Sequence, residues 1–485
     1  MDRKLESEYV REQKRYTQND LCRILHCSPD EVVRFIRKLK EFGVIKAVKT
    51  SDPQKNMFDL ADEDIEVADV EAGEDEYLYV FTFVGVIVVA GRVLKCYPKY
   101  LLHTEQPKNE LRQVLKVLEK YNTKEQIVHL FNESSESSAF NLIAVLLFLL
   151  QDYYENGVYN NTENIIESNG SGEILWDKTI NETFVVLSNN RPYYTELFTR
   201  KSVTNDFEYF KRLHECILTK ASKELNDADL LDLFEIVGVD LTDEQLDDFG
   251  DKEYKLYRIE QELNTQFNTR KQLLLKTIYA YIAHSGSLYD TNCFSLFGTN
   301  SFNLVWEGVC ADIMDNQLNE RLGSLCLPTP LNPNYDGNKT LIDLIEKPYW
   351  SATEKTASDT LIPDLITIRG NGFYIFDAKY YNAQLEYGLP PKGQPGIESI
   401  TKQYLYQLAY KDFISDHGLT TVKNCFLLPT ENSEIENRGE VSLDMLSALR
   451  LQNINVRFVP AQLAYEHYLS GQKMDLKCLK LNESL

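Results

Sequence analysis

Between residues 16 and 49 the apolar positions recur at helical spacing in two bursts. Thr17-Gln18-Asn19-Asp20 leads into a short helix over Leu21 to His26, and Cys27-Ser28 makes a turn. Ser28-Pro29-Asp30-Glu31 then opens a second helix, with Ser as N-cap, Pro at the first helical position and Glu completing a capping box. Val32, Phe35, Ile36, Leu39 and Phe42 fall on one stripe, and Arg34, Arg37 and Lys38 share the opposite face. Gly43 ends the helix and Val44 to Lys49 reads as a short strand, so the pattern predicts a helix-turn-helix with a wing. From Tyr79 to Pro98, β-branched and aromatic residues cluster around Gly85 and Ala90-Gly91, which predicts strands joined by a tight turn and closing on Tyr97-Pro98-Lys99. Helical spacing dominates afterwards, over Asn109 to Tyr121, Ala139 to Tyr154, Asp206 to Glu224 and Thr269 to Ala283, interrupted by an Asn/Gly/Ser-rich loop from Asn160 to Gly172.

The pattern changes again after residue 300. Ser301 to Met314 reads as a helix whose stripe holds Leu304, Glu307, Cys310, Ala311 and Met314. Leu361 to Arg369 and Phe373 to Tyr381 are β-type runs separated by Gly370-Asn371-Gly372, a strong hairpin signal. Ser399 to Phe413 reads as a helix with Gln403, Gln407 and Tyr410 on one face and Tyr406 beside them. Asn424 to Pro429 and Val456 to Pro460 supply further strands.

Composition narrows the function classes. The chain has 485 residues, 43% hydrophobic and 26% charged, which fits several folded domains and not a disordered chain. Its longest apolar stretch, Ala139 to Leu150, is interrupted by Asn141 and falls short of the roughly 20 residues that span a bilayer. No membrane association is expected, and the N-terminus lacks the apolar run of a secretory signal, so a cytoplasmic location is expected. The nine cysteines are scattered without a Cys-x-x-Cys pair and read as reduced thiols; Cys22, His26 and Cys27 read as packing residues. A net charge of -23 argues against a protein that coats nucleic acid, so DNA contact must be local or aided by a partner. Residues 1–50 stand apart, with a local balance of +4 that suits DNA contact through Arg34, Arg37 and Lys38, although winged helices also serve as protein-binding modules. Asp59 to Glu76 carries ten acidic residues and no Lys or Arg; it reads as a solvated linker, with mimicry of DNA phosphates as the alternative. No Gly-x-x-x-x-Gly-Lys-Ser/Thr phosphate loop occurs.

The chemistry concentrates on the hairpin. Alternation puts Phe373, Ile375, Asp377 and Lys379 on one face of the second strand, and an acid and a lysine inside so apolar a run are costly unless paired or bound to a cation. Magnesium prefers oxygen ligands and keeps several waters, so Asp364, Asp377 and the Ala378 carbonyl would suffice as protein ligands, with manganese able to stand in. Lys379 would orient or help deprotonate the attacking water and steady charge on the phosphate. Glu307 is the candidate third acid, as catalytic group and metal ligand, against a reading as an ion-pairing helix residue. Gln407, with Gln403 and Tyr410, would hold the lysine or a phosphate, or form an ordinary polar helix surface.

Pro363-Asp364 followed by Asp377-x-Lys379, behind a helix bearing an acid and ahead of a Gln/Tyr helix, resembles the α-β-β-β-α-β core of PD-(D/E)XK nucleases. Phe83-Val84-Gly85-Val86-Ile87, Pro98-Lys99-Tyr100, Gly172 to Ile180, Asn303 to Glu307 and Tyr406-Gln407-Leu408-Ala409-Tyr410 extend the likeness. Together they resemble the nuclease subunits of the McrC and LlaJI restriction families, the LlaJI type more closely, over roughly residues 77–470. One departure is that Gln407 and Tyr410 lie three apart, where the RecB-like branch has Gln and Tyr four apart. With the winged helix-turn-helix over 1–58 and the acidic linker over 59–76 read from their own patterns, the chain is expected to be α+β and multidomain, the resemblance adding a β-then-helical partner-contact region over 77–300 and a nuclease core over 301–485. It also implies a restriction endonuclease subunit that cuts double-stranded DNA with a separate McrB-like AAA+ GTPase. Two other classes compete with that expectation, a DNA-binding adaptor on a non-catalytic nuclease fold and a repair or RNA nuclease of the same superfamily.

Overall fold

A computed structural model describes residues 5–49, 77–104, 106–122, 141–160, 162–189, 191–204, 208–284, 286–290 and 293–481; the acidic block over 59–76 lies outside them. The described residues fall into two compact units, one within 139–295 and the other within 6–138 and 296–485. The larger unit is therefore built from two stretches of chain that flank the smaller one.

The larger unit starts with β1 (Glu6–Arg11), β2 (Arg15–Tyr16), helices α1 (Gln18–Ile24) and α2 (Pro29–Glu41), and β3 (Ile45–Lys49). Both helices open on capping boxes, Thr17 with Asp20 and Ser28 with Glu31, so their free N–H groups are satisfied locally. Val32, Ile36 and Leu39 form the buried stripe of α2, while Arg34 and Arg37 are exposed and Lys38 is half-buried. β4 (Tyr77–Phe81) pairs antiparallel with both β2 and β3, while β5 (Val84–Val89) and β6 (Arg92–Tyr97) form a hairpin. β1 adds to β6 in parallel. The segment boundaries read from sequence at 58 and 77 thus do not separate folded units, because backbone hydrogen bonds tie 77–97 to 6–49.

α3 (Lys108–Asn122) follows, and the smaller unit comes next. It contains α4 (Leu142–Asn156), β7 (Thr162–Ser168), β8 (Glu173–Ile174), α5 (Trp176–Glu182), β9 (Val185–Ser188), β10 (Arg191–Tyr194), β11 (Phe198–Thr204), α6 (Tyr209–Asp227), α7 (Lys252–Thr265) and α8 (Thr269–Ala283). Its polar stretch 160–172 is not the loop its composition predicts: β7 pairs along its whole length with β11, and the ladder overrides the weak strand preference of Asn and Glu. No helix among the described residues is long and apolar enough to cross a membrane.

The chain returns to the larger unit through β12 (Phe294–Thr299), which completes the sheet β1-β6-β5-β12. Its approach to β5 is close: a Cβ on Gly85 would meet the Phe297 carbonyl oxygen at 2.1 Å, and one on Gly298 would meet the Val84 oxygen at the same distance. After α9 (Phe302–Ile313) and the small hairpin of β13 (Tyr349–Trp350) and β14 (Lys355–Thr356), the second sheet is assembled. It comprises β15 (Leu365–Arg369), β16 (Gly372–Ala378), β17 (Thr421–Thr430), β18 (Glu436–Val441) and β19 (Ile454–Pro460), in the order β15-β16-β17-β19-β18. Helices α10 (Ile397–Ala409) and α11 (Lys411–Asp416) connect β16 to its parallel neighbour β17, and α12 (Ala461–Ser470) follows β19. Only two strands of this sheet precede α10, not the three expected, because β13 pairs with β14 in a separate ribbon. Phe373 and Ile375 pack with Tyr406 and Tyr410, while Phe426 and Leu428 pack with Tyr404, Val456 and Phe458 in a second cluster. All nine cysteines are free.

The glycine pair yields a stability test. Gly85→Ala or Gly298→Ala forces apart two backbones that no side-chain rotation can relieve, so each is expected to cost about 2–3 kcal/mol. A urea midpoint unchanged in either variant would show that β5 and β12 separate freely.

Candidate active site

A two-residue loop, Gly370-Asn371, closes the β15–β16 hairpin, with Gly370 at a φ of 58° and Arg369 opposite Gly372. That register sets Leu365 across from Phe376, so the next step outward brings Asp364 to Asp377. The structure brings them close enough for each to feel the other's charge, and Asp364 Oδ2 accepts from the Ala378 N–H at 2.8 Å. Lys379 reaches back along the strand to place Nζ 2.8 Å from Asp377 Oδ1, with Asp377 only 3% exposed. Asp364, Asp377, Ala378 and Lys379 thus meet in one place, as the alternation of β16 predicts.

The electrostatics follow from this crowding. Burial, then the hydrogen bond and charge of Asp377, push the Asp364 carboxyl up to about 9, so without a cation it keeps its proton at neutral pH. For Lys379 burial works to lower the ammonium, but the charge and hydrogen bond of Asp377, with Asp364 behind them, outweigh it and hold the amine above its ordinary range. Lys379 is therefore a standing positive charge. A cationic head beside Asp377 suits the orienting and charge-steadying roles the sequence suggests for it.

Glu307 lies on α9, but its surroundings differ from the predicted stripe. Phe302, Val305, Trp306, Val309, Cys310 and Ile313 form the buried face, whereas Leu304 is 48% exposed. The indole N–H of Trp306 donates to the Leu427 carbonyl at 3.1 Å, which fixes the helix rotation and leaves Glu307 half-buried at the edge. Burial raises its carboxyl; Lys379 offsets part of that and Asp377 adds to it, so Glu307 senses both hairpin groups. Among the described residues, however, no three Asp, Glu, His or Cys side chains gather closely enough to hold a metal ion. The charge of Glu307 is nonetheless felt by Asp364. The two aspartates fit a hard cation on other grounds: crowding that drives Asp364 to hold a proton marks negative charge that a divalent ion would take in that proton's place, and magnesium needs few protein ligands.

Gln407 is not brought to these groups. Its side-chain oxygen accepts from Asn424 Nδ2 at 2.9 Å and from the Gln452 N–H at 3.0 Å, so it is committed to holding β17. Gln403 donates to the Ile375 carbonyl, and Tyr410 donates to the Leu341 carbonyl. The helix face that reads as polar surface is a buried one. Tyr406 is the residue of α10 near the acids: its hydroxyl donates to the Ile362 carbonyl at 2.9 Å, just ahead of Pro363-Asp364, and burial followed by the charges of Asp377 and Asp364 raises its phenol.

A cavity of about 170 Å³ opens beside Ala378 and Lys379, with Glu307 on its wall together with Glu12 and Lys99 from the first half of the chain. Glu12 is buried and accepts from the Lys99 N–H and the Tyr380 hydroxyl. Neither Glu12 nor Tyr380 could be assigned from sequence, since their meeting depends on contacts across 368 residues. A lysine closing an apolar β run at Tyr97-Pro98-Lys99 was the available signal for Lys99.

The family model described as LlaJI restriction endonuclease matches residues 83–462. The chain belongs to that family, and so is a nuclease component of a restriction system. It is 27% identical over 406 residues to the type II restriction enzyme BsuMI component YdjA of Bacillus subtilis (strain 168), covering 81% of each chain. Among solved structures, a chain of the half-complex from the tetradecameric assembly of Thermococcus gammatolerans McrB AAA+ hexamers with bound McrC aligns at 11% identity. The alignment covers 96% of this chain and 99% of that one with a TM-score of 0.39. A chain of the Thermococcus gammatolerans McrBC complex aligns at 12% identity over 62% and 84%, with a TM-score of 0.25. Scores that low do not establish a shared fold.

The carboxyl pair gives a prediction with a definite sign. Asp364 binds its proton more tightly folded than unfolded, so its contribution to stability is full at acid pH and is lost as pH rises toward about 9. Asp364→Asn removes that loss. In divalent-free buffer its thermal midpoint is expected to exceed the parent's by a margin that widens as pH climbs from the ordinary carboxylate range, whereas a margin that does not vary with pH would rule out a retained proton.

Proposed function

We propose that the chain is a magnesium-dependent DNA endonuclease with a PD-(D/E)XK core, working in its restriction system beside a separate McrB-like AAA+ GTPase. The observation that carries this reading is the contact of Asp364, Asp377 and Lys379 at the open end of the β15–β16 hairpin. A buried acid and a half-buried one beside a charged lysine serve a scaffold poorly, since well-packed apolar residues would serve stability better.

Asp364, Asp377 and the Ala378 carbonyl would hold magnesium, or manganese in its place. When bound, the ion supplies Lewis-acid polarisation of the phosphate and an attacking water that loses its proton near neutral pH. Lys379, kept as an ammonium by Asp377, faces the charge that builds on the phosphate oxygens. Glu307 faces the same ammonium from α9 and restricts where its head can settle. Tyr406 anchors the backbone that presents Asp364. Gln407 acts only as a brace for β17 and drops out of the catalytic set.

The partner rests on two supports, the family and the lack of any phosphate-loop motif in the sequence. Contact with double-stranded DNA outside the pocket is proposed for the winged-helix reading of α1, α2 and β3, where Arg34 and Arg37 are exposed on the face opposite the buried stripe.

Asp377→Ala is expected to abolish magnesium-dependent cleavage of DNA by the chain assayed with its motor, a loss of at least about 10²-fold, while the fold persists by circular dichroism. Cutting at the parental rate would remove the site assignment. Reversing Arg34, Arg37 and Lys38 to Glu is expected to weaken DNA binding and lower its salt dependence without altering the metal response; unchanged binding would mark that helix as a protein contact.

A further inference from the structure

β16 ends at Ala378, so Lys379 sits where the regular strand stops. Its N–H still donates to the Leu427 carbonyl at 2.9 Å, which carries the pairing with β17 one residue further. What the chain does next is fixed by Tyr380. This side chain is only 5% exposed, with its ring 5.2 Å from that of Phe302 at the start of α9 and 6.3 Å from that of Tyr100. Its hydroxyl donates to Glu12 Oε2, a contact between residues 368 apart in sequence.

The acceptor is itself held firmly. Glu12 follows directly on β1, and its N–H donates to the Tyr97 carbonyl at 2.9 Å, just beyond the β1–β6 ladder. The next residue, Gln13, takes a left-handed φ of 56° that a glutamine rarely adopts, and its N–H donates to the Phe81 carbonyl at 2.9 Å. Glu12 Oε2 also accepts from the Lys99 N–H at 3.1 Å. Burying a carboxyl group is a costly way to fill a core position. The rings of Phe302 and Tyr100 would cover Tyr380 without it, but ring contacts tolerate sliding, whereas a hydroxyl-to-carboxyl hydrogen bond is directional.

We infer that Glu12 is a positioning residue for the cutting reaction: through the Tyr380 hydroxyl it fixes the backbone at the exit of β16, and with it the direction from which Lys379 presents its head to Asp377. Lys379 and Tyr380 share one rigid peptide plane, so a shift of the anchored ring is passed to the lysine with little loss. A catalytic group must be held to within roughly 0.5 Å to act at full strength, and a single hydrogen bond is enough to decide a displacement of that size. The inference rests on the nuclease reading above and goes beyond it, because it places part of the support of the catalytic strand in β1, the strand that leads into the helix pair α1 and α2.

The test uses the full chain assayed with its motor on DNA and magnesium, with the cleavage rate at saturating DNA measured separately from DNA affinity. All rates are read well below the thermal midpoints, where a loss of packing alone leaves the rate unchanged. Tyr380→Phe keeps the ring and removes only the hydroxyl; it is expected to lower the saturating rate about tenfold at an unchanged affinity. Glu12→Gln still offers an oxygen to the hydroxyl and is expected to fall less, and the double variant no further than Tyr380→Phe alone, since both changes act on one contact. A parental rate in Tyr380→Phe, whatever its thermal midpoint, with Asp377→Ala inactive, would show a packing role and overturn the inference while the nuclease reading stands. Losses that multiply in the double variant, or a fall in affinity at an unchanged saturating rate, overturn it as well. Cutting by Asp377→Ala at the parental rate overturns the nuclease reading and this inference with it.

Discussion

Two carboxyl groups crowded together, one of them shut away from water, are the constraint around which the hairpin is organised. The two-residue loop fixes the hairpin register, the register sets Asp364 opposite Asp377, and the apolar strand on which Asp377 sits denies it the solvent that would ease their repulsion. Several neighbouring features answer that strain. Asp364 retains a proton, the Ala378 N–H donates to it, and Lys379 turns back onto Asp377. Each response is one that the proposed cation site would need: charge in reserve, a fixed direction of approach and a positive group close by.

Much of this was legible in the sequence because it is local. Ser28 and Glu31 signal a capping box within four residues, and Asn371 between two glycines signals a hairpin whose alternation then places Asp377 beside Lys379. Where local preference and tertiary pairing disagree, the sequence misleads. Thr162 to Ser168 look like loop until β11 supplies a partner strand. Gln403 and Gln407 look like a solvated helix face, although their amides are spent inside the protein on β16 and β17. The stripe containing Glu307 has the right period but the wrong phase, because the larger side chains of Phe302 and Trp306 decide which way α9 turns. Glu12 carries no local signal at all.

The division of labour along the chain also differs from a simple string of modules. Strands within residues 6–49 and 77–97 belong to the same unit as the β15–β16 hairpin, and both halves of the chain line the cavity. The helix pair proposed to meet DNA and the pocket proposed to cut it share that unit, so a change in either can be felt by the other through β1, β6 and the Glu12 contacts.

The interrupted order of the larger unit bears on how the protein is made. β5 emerges early in synthesis, but β12, which covers its outer edge across the paired glycines, is translated some two hundred residues later, and the acids and lysine later still. Until then β5 presents an unpaired apolar edge of the kind that invites association between chains. The same delay keeps the cavity wall incomplete on the ribosome until Ala378 and Lys379 have joined Glu12 and Lys99.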